Sequence, residues 1–531
     1  MLYFIPAWYR QNEWCENEQS WHTRRMHSEF DETVKQIQLF HRSGVYPYQI
    51  MLLSFAPNFR HFLHRQGVYH ASYWSCFDAI QQIRRKKAHV LSFHNIDWPK
   101  GIEFVYSQFV VLAFLKGKRY AKIEFGEDGN PIQVDMYEDN MLCRRNIYDD
   151  RGFLSCTVLY KNEKPIYQEF LMRDGNWKLR RFYEDDHVEI NPRRQEYLLL
   201  CGDKERTKRF SRLSYGNMQQ VIYEVLTSYL QLTADTDIFC AAMHERHAGL
   251  LQEALADRRT ILSFYENRYL PQENPEQWKM MKRADFIITD SAENEKRIKN
   301  CPGMESKKTT VISPYNVSAD SGTSGRIKVQ KILVPVDGMK EDVFHELILV
   351  LAGYLSRNMN ARVHLFTREA EYGRGKKLLE WVREELREAG LEEGLAVETD
   401  AENISENNLH EEEKITQKFF AEQCVSELDV STCMRQQRLI VDVRKNPEMF
   451  PQIIALSLGI PQIVCTKTEF VESGRNGIIL EEIEQLPDAL DYYLVGLTHW
   501  NEARVYSYEL GRNYTTDKLL KTWKEVLDFV G

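Results

Sequence analysis

A chain of 531 residues is long enough for two or three domains, and its formal net charge of -9 argues against a general nucleic-acid-binding surface. Its ten cysteines contain no C-x-x-C pair, so no zinc framework is visible, no metal or other cofactor is expected, and the thiols read as reduced core groups of a cytoplasmic protein. The opening MLYFIPAWYRQNEW lacks the features of a signal peptide, and the apolar runs at 343–355 and 453–465 are shorter than the ~18 residues of a membrane span, which leaves peripheral attachment at the inner face of the membrane open.

Residues 2–7 form a short apolar run that predicts a buried strand, followed by a bulky turn, Ala7-Trp8-Tyr9-Arg10. PYQIMLLS at 47–54 and AHVLS at 88–92 predict two more strands, with polar helical segments between them. From 103 to 190 the pattern changes to period-two alternation. Ala121, Ile123 and Phe125 alternate with Lys122 and Glu124, Ile132, Val134 and Met136 with Gln133 and Asp135, and Leu154, Cys156 and Val158 with Ser155 and Thr157. Turn clusters separate these runs, so an antiparallel meander with one wet face is expected there as an insertion.

An amphipathic helix at 216–232 reopens the α/β pattern. Strands are expected at 237–242, 260–264 and 285–289, and 310–313 closes this part. SADSGTSGR at 318–326 has the composition of a linker. A second α/β run follows, with strands at 331–336, 362–366, 395–399, 439–443 and 461–465 and helices at 341–356, 376–389 and 449–458. The acidic stretch 402–414 reads as a solvated loop. In the last helix, 514–530, Leu519, Leu520, Trp523, Val526, Leu527 and Val530 share one face. The expected divisions are therefore 1–102, an inserted meander at 103–190, 191–317, a linker at 318–326, a second lobe at 327–512 and a terminal helix at 513–531.

Residues 446–482, NPEMFPQIIALSLGIPQIVCTKTEFVESGRNGIILEE, are the most specific segment. Gly459 can end a helix in a left-handed cap, Pro461 can begin a strand without a ladder donor, and Gly474 and Gly477 let backbone approach a partner. In a doubly wound sheet this corner lies outside the carboxyl ends of the strands, where ligands bind.

This segment resembles the donor end of two-lobed, B-type glycosyltransferases. That likeness implies two Rossmann-like lobes, with the last helix crossing back to the first. The inserted meander is similar to the polypeptide-gripping extension of transferases that glycosylate serine-rich adhesins. MLYFIPAWY, HNIDWP at 94–99 and the chain length resemble the accessory Sec system family known as accessory secretory protein one. The resemblance implies a role in exporting serine-rich-repeat glycoprotein adhesins. It also implies work with two companion proteins, the second and third members of the same cluster, and with an accessory SecA-type motor ATPase.

The catalytic pattern of those transferases is broken here. The ribose-binding glutamate, seven residues before the proline of G-x-P, is replaced by Ile454, and a second glutamate eight residues earlier by Asn446. Glu448 lies two positions on, about 200° around a helix. Where active members carry an arginine and a lysine for the diphosphate, this chain has Asp337-Gly-Met-Lys340. The expectation is a protein without catalytic residues that binds partners and adhesin. An active transferase with a divergent donor site and a glycan-binding module remain the alternatives. Candidate cleft or polypeptide-binding residues are Trp8, Tyr9, Arg10, Lys122, Glu124, Ser473, Gly474 and Asn476. Trp8, Tyr9 and Trp14 have a core reading beside the aromatic-wall reading. His244-Glu-Arg-His247 lacks metal-binding spacing, Ser473 lacks a nucleophile elbow, and the basic run Arg84-Arg-Lys-Lys87 reads first as a solvated helix face.

Overall fold

The computed structural model describes residues 1–10, 13–15, 31–84, 88–266, 275–320, 322–396 and 417–531. The chain divides into two units, Met1–Pro314 with Lys524–Gly531, and Tyr315–Trp523.

The first unit begins with β1 (Leu2–Ile5), β2 (Tyr48–Leu52) and β3 (Tyr73–Ser75). The antiparallel strands follow: β4 (Ile102–Tyr106), β5 (Val110–Leu115), β6 (Lys118–Phe125), β7 (Pro131–Glu138), β8 (Met141–Asp149), β9 (Phe153–Lys161), β10 (Lys164–Leu171), β11 (Trp177–Phe182) and β12 (Val188–Ile190). A hairpin of β13 (Glu196–Cys201) and β14 (Lys204–Arg209) precedes the short β15 (Ser214–Tyr215). The unit then adds β16 (Ile238–Ala242), β17 (Arg259–Phe264), β18 (Phe286–Thr289) and β19 (Thr309–Val311). The second unit holds β20 (Gln330–Pro335), β21 (Ala361–Thr367), β22 (Phe419–Gln423), β23 (Leu439–Asp442), β24 (Gln462–Val464) and β25 (Gly477–Ile479).

Both expected parallel sheets are present. Their orders are β19-β18-β17-β16-β1-β2-β3 and β22-β21-β20-β23-β24-β25. The central strands carry continuous apolar runs because helices cover both faces, and every residue of β1 is buried. Two expected strands are not found among the described residues. AHVLS at 88–92 is an extended connection with Val90 93% exposed, tied down by His89 N donating to Arg151 O and Leu91 N to Asn130 Oδ1. The third strand of that sheet is β3, whose three residues give no run to recognise. At 395–399 the described part belongs to a 3-10 helix, Glu393–Ala396, and the edge strand is β22 instead. The acidic stretch 402–414 lies outside the described residues. The serine- and glycine-rich run falls within the second unit, where Ser324 is buried and Arg438 donates to Ser324 O and Ile327 O.

The meander is a ten-stranded sheet ordered β15-β12-β11-β10-β9-β8-β7-β6-β5-β4. Its buried face changes side along the sheet. One row of cross-strand neighbours runs Glu124–Gln133–Ile147–Cys156–Phe170–Leu179–Ile190, polar at one end and apolar at the other. The apolar end packs into the core of the first unit, with Phe170 against Phe55 and Phe77. The row on the opposite face, Ile123–Val134–Asn146–Thr157–Glu169–Arg180–Glu189, reverses the order. Its apolar end forms a second core with Val111, Ala113, Ala121 and Tyr148, against which Leu91, Phe93, Ile96 and Trp98 of the HNIDWP region pack. One wet face was expected throughout. Thr157, grouped with Lys122, Glu124, Gln133 and Asp135 by alternation, in fact lies on the other face from them and is buried.

The sheet is built into its unit. Arg151 makes two bonds each to Asp78 and Asp149, and Gln81, on the helix Cys76–Gln81, donates to Ser155 O and Leu171 O. The terminal helix runs Thr516–Val530 with Leu519, Trp523, Val526, Leu527 and Val530 buried and Leu520 half-buried. Burying a side chain of this size contributes about 1.5–3 kcal/mol. Near its end Phe529 packs edge-on against Phe286 of β18. No helix among the described residues is long and apolar enough to cross a membrane.

Candidate functional site

In the second sheet β20 lies beside β23, the point where the strand order reverses and a doubly wound fold opens its crevice. The residues that leave these two strands are bound to one another. Asp337 follows β20, and its carboxylate accepts from Thr367 Oγ1 at 2.6 Å and from Arg368 N at 2.7 Å. Arg444 follows β23, donates from Nε and Nη2 to the two oxygens of Asp442 at 2.8 Å, and donates from Nη1 to the carbonyl of Asp337 at 2.9 Å. Glu448 takes Arg368 at 2.6 Å and Arg444 at 3.3 Å. The two guanidinium groups thus meet two carboxylates, Asp442 and Glu448, and these contacts hold the Arg444 proton well above its ordinary range despite burial. A diphosphate arriving here meets cations already matched by acids.

Of the other donor-site positions only Lys340 is cationic. Lys340 is exposed and caps the helix Glu341–Arg357, whose first turn carries Glu341 and Asp342, so the anion-friendly helix end already has its own negative charge. Ile454 is half-buried on the helix Met449–Leu458, and Asn446 is exposed in the turn before it. Sequence reasoning missed Arg444, Arg368 and Asp442. The available signal was Asp442-Val-Arg444 at the end of a strand.

The glycine loop is closed by its own bonds. Asn476 is fully buried, accepts from Glu472 N at 2.8 Å and donates to Phe470 O at 2.8 Å. Ser473 Oγ accepts from Ile479 N at 3.3 Å, and Gly474 N donates to Gly477 O at 2.9 Å. Asn476 is therefore a structural residue, while Ser473 and Gly474 stay exposed. Gly459 does form the left-handed cap, with φ 67°.

The matching corner of the first unit lies between β1 and β16. Trp8 and Tyr9 are buried, at 5% and 6% exposure, and Trp14 at 3%, so their core reading holds and the aromatic-wall reading fails for this turn. Trp8 packs on Phe62 with ring centroids 4.7 Å apart. Tyr9 donates its hydroxyl to His247 Nδ1 at 2.8 Å, while His247 Nε2 donates to Ala242 O at 2.6 Å, which assigns the tautomer. Burial pushes the Tyr9 phenol far up. His244 caps the helix Glu245–Ala254 through Nδ1, which accepts from Arg246 N. The histidine pair is thus architectural. Arg10 is exposed.

On the meander Lys122 pairs with Glu124 at 2.6 Å, and Arg145 grips Asp135 through two bonds of 2.7 and 2.9 Å. Arg84 pairs with Glu205, and residues 85–87 of the basic run lie outside the described residues. Among the described residues β4 has a strand neighbour on one side only, and Val105 and Tyr106 are 50% and 64% exposed.

Known proteins match this architecture over nearly its whole length. The family model of the accessory Sec system protein called accessory secretory protein 1 matches residues 1–529. An accessory Sec system protein of that kind from Streptococcus gordonii is 30% identical over 535 residues, covering 99% of each chain. In the crystal structure of accessory secretory protein 1, 2 and 3 from Streptococcus pneumoniae, one chain gives a TM-score of 0.78 at 26% identity, covering 100% of this chain and 99% of the other. The pneumococcal O-GlcNAc transferase GtfA, solved with UDP and GlcNAc, gives 0.67 at 12% identity over 100% and 98% of the two chains, a likeness of fold.

Proposed function

This chain belongs to the accessory Sec system family of accessory secretory protein 1, and from that premise we propose that it is a non-catalytic, transferase-shaped component of an adhesin export machine. It works in the cytoplasm. Its companions are accessory secretory proteins 2 and 3, the proteins that share a crystal structure with its pneumococcal relative. It passes a serine-rich-repeat glycoprotein to an accessory SecA-type motor.

The observation that carries the non-catalytic reading is the engagement of Arg444 by Asp442 and of Arg368 by Glu448 at the donor corner. Transfer from a nucleotide sugar needs fixed positive charge for the leaving diphosphate. Here that charge is matched in advance, and Ile454 stands where a ribose-binding carboxylate would be. The edge of β4, which has no second strand neighbour among the described residues, supports a polypeptide-binding role, since an extended chain can add to such an edge as a further strand.

The deciding experiment incubates the protein with radiolabelled UDP- and GDP-sugars and a serine-rich acceptor. The expected product equals that of a boiled control. Transfer above that control overturns the reading and makes the chain an active enzyme with a divergent donor site.

A further inference from the structure

At the edge of the second sheet the fold gathers two thiols and a carboxylate that the proposed function does not use. Glu422 belongs to β22, Cys424 follows that strand, and Cys433 lies on the helix Glu427–Met434. One ligand atom from each lies within 4.8 Å of the other two. Zinc holds sulfur and oxygen ligands at ~2.0–2.3 Å, which places ligand atoms about 3.3–3.8 Å apart. The three groups thus need only a small inward shift to share one ion.

The surroundings fit a metal better than a packed thiol pair. His364 is buried, stacks on Phe420, and places Nδ1 2.7 Å from Glu422 Oε1, so an outer group fixes the carboxylate's direction. Gln437, 1% exposed, puts Nε2 3.6 Å from Cys433 Sγ, the contact a bound thiolate favours. Its Oε1 is buried with no hydrogen-bond partner among the described residues. Lys331 and Arg362 bring positive charge to His364, and Lys331 to Glu422, which offsets the surplus negative charge of two thiolates and a carboxylate around a dication. Cys424 is buried, whereas the Glu422 side chain is 36% exposed, so an ion has a route from solvent.

We propose that Glu422, Cys424 and Cys433 form a binding site for a thiophilic divalent cation of the zinc class, with water as the fourth ligand. On binding, each thiol loses its proton to solvent as its sulfur–metal bond forms, and no oxidation occurs. The bound ion joins the edge strand β22 to the helix that follows it. The spacing, one residue and then eight between ligands, is unlike any short zinc framework. The site therefore depends on the fold bringing a strand end and a helix together.

The test uses the full-length protein after chelator treatment, with cadmium as a spectroscopic probe and zinc as competitor. Cadmium–thiolate absorption in the ultraviolet is expected to rise to one equivalent and to be reversed by zinc. Cys424→Ser with Cys433→Ser abolishes the rise, while Cys465→Ser leaves it intact. His364→Asn keeps every ligand and weakens binding roughly ten- to a hundredfold. It therefore reports on the site even if the double serine variant fails to fold. Absence of a rise at one equivalent overturns the proposal, as does an equal rise in the folded double variant. Neither result bears on sugar transfer, so this site and the export reading stand or fall separately.

Discussion

Arg444 donates from Nε and Nη2 to the two carboxylate oxygens of Asp442, each 2.8 Å away, with 5% and 3% of the two side chains exposed. Buried pairs of this geometry contribute little net stability while intact, because both ions give up water. Losing one partner is costly, because the other charge is then stranded. Arg444→Ala should therefore lower unfolding stability by about 3–5 kcal/mol. Urea denaturation checks this, and an unchanged midpoint would show that the donor corner does not need the pair.

The loop at Gly474 and Gly477 separates packing from ligand access. A Cβ at Gly477 would sit 2.2 Å from Gln462 O and 2.6 Å from Val471 Cγ1, too close for a neighbouring backbone to yield cheaply. A Cβ at Gly474 meets nothing within 4 Å, and only its φ of 77° opposes a side chain, a cost of roughly 1–2 kcal/mol. Gly477→Ala should be the more destabilising of the two in thermal melts. The opposite ranking would mean that the loop is held differently.

Much of this organisation was legible in the chain. Most strands of the two parallel sheets announce themselves as apolar runs, β3, β22 and β25 excepted, and the alternation of 103–190 marks a separate sheet, because period two and continuous burial leave different patterns. Residues 88–92 misled because an apolar run of that length says nothing about pairing, and β3 was missed because three residues carry no period. The wet face was misassigned for a deeper reason. Alternation within one strand fixes its two sides, but which side faces the core depends on register with the next strand, and here that side changes along the sheet. At the donor corner the missing glutamates were readable only against the pattern of the transferases that the segment resembles. The pairing of Arg444 with Asp442 and of Arg368 with Glu448 required the topology that brings β20, β21 and β23 together.

Tyr9 and His247 offer a smaller test of the same kind. Tyr9→Phe removes one neutral hydrogen bond and should cost about 1 kcal/mol. Tyr9→Ala also opens a cavity and should cost roughly 3–5 kcal/mol, the range for a buried aromatic ring. Equal losses in denaturant titrations would mean that the ring contributes nothing beyond its hydroxyl.

Asp150 makes a pH prediction. Burial, then the neighbouring Asp149, push its carboxyl up from 3.8 to about 7, against the lowering effects of the His61 amide, Arg60 and Arg151. The unfolded chain releases this proton near pH 4, while the folded protein keeps it to about pH 7. The folded state thus binds more protons between those values, and its stability falls as pH rises through that window, then levels. The slope from this one group is at most about 1.4 kcal/mol per pH unit. Asp150→Asn can still accept from His61 N and should flatten the profile between pH 4 and 7. Parallel wild-type and variant curves over that range would exclude Asp150 as the source.

The edge strand β4 carries the most direct test of polypeptide binding. Val105 pairs with Leu112 and Tyr106 with Val111 on the inner side, and the outer side has no strand neighbour among the described residues. Exposed apolar edges of this kind invite another strand, and lysine discourages one. Both side chains are at least half exposed, so Val105→Lys with Tyr106→Lys should change stability by about 0.5 kcal/mol or less per site. Wild-type affinity for an unfolded serine-rich segment should itself be modest, because ordering that segment costs entropy. Fluorescence anisotropy with a labelled segment should show binding weakened about tenfold in the double variant, equivalent to about 1.4 kcal/mol. Size-exclusion chromatography should show co-elution with the two companion proteins unchanged. An unaltered dissociation constant in a folded variant would remove β4 from the binding surface. Loss of both adhesin and companions would instead make this edge the seat of the complex.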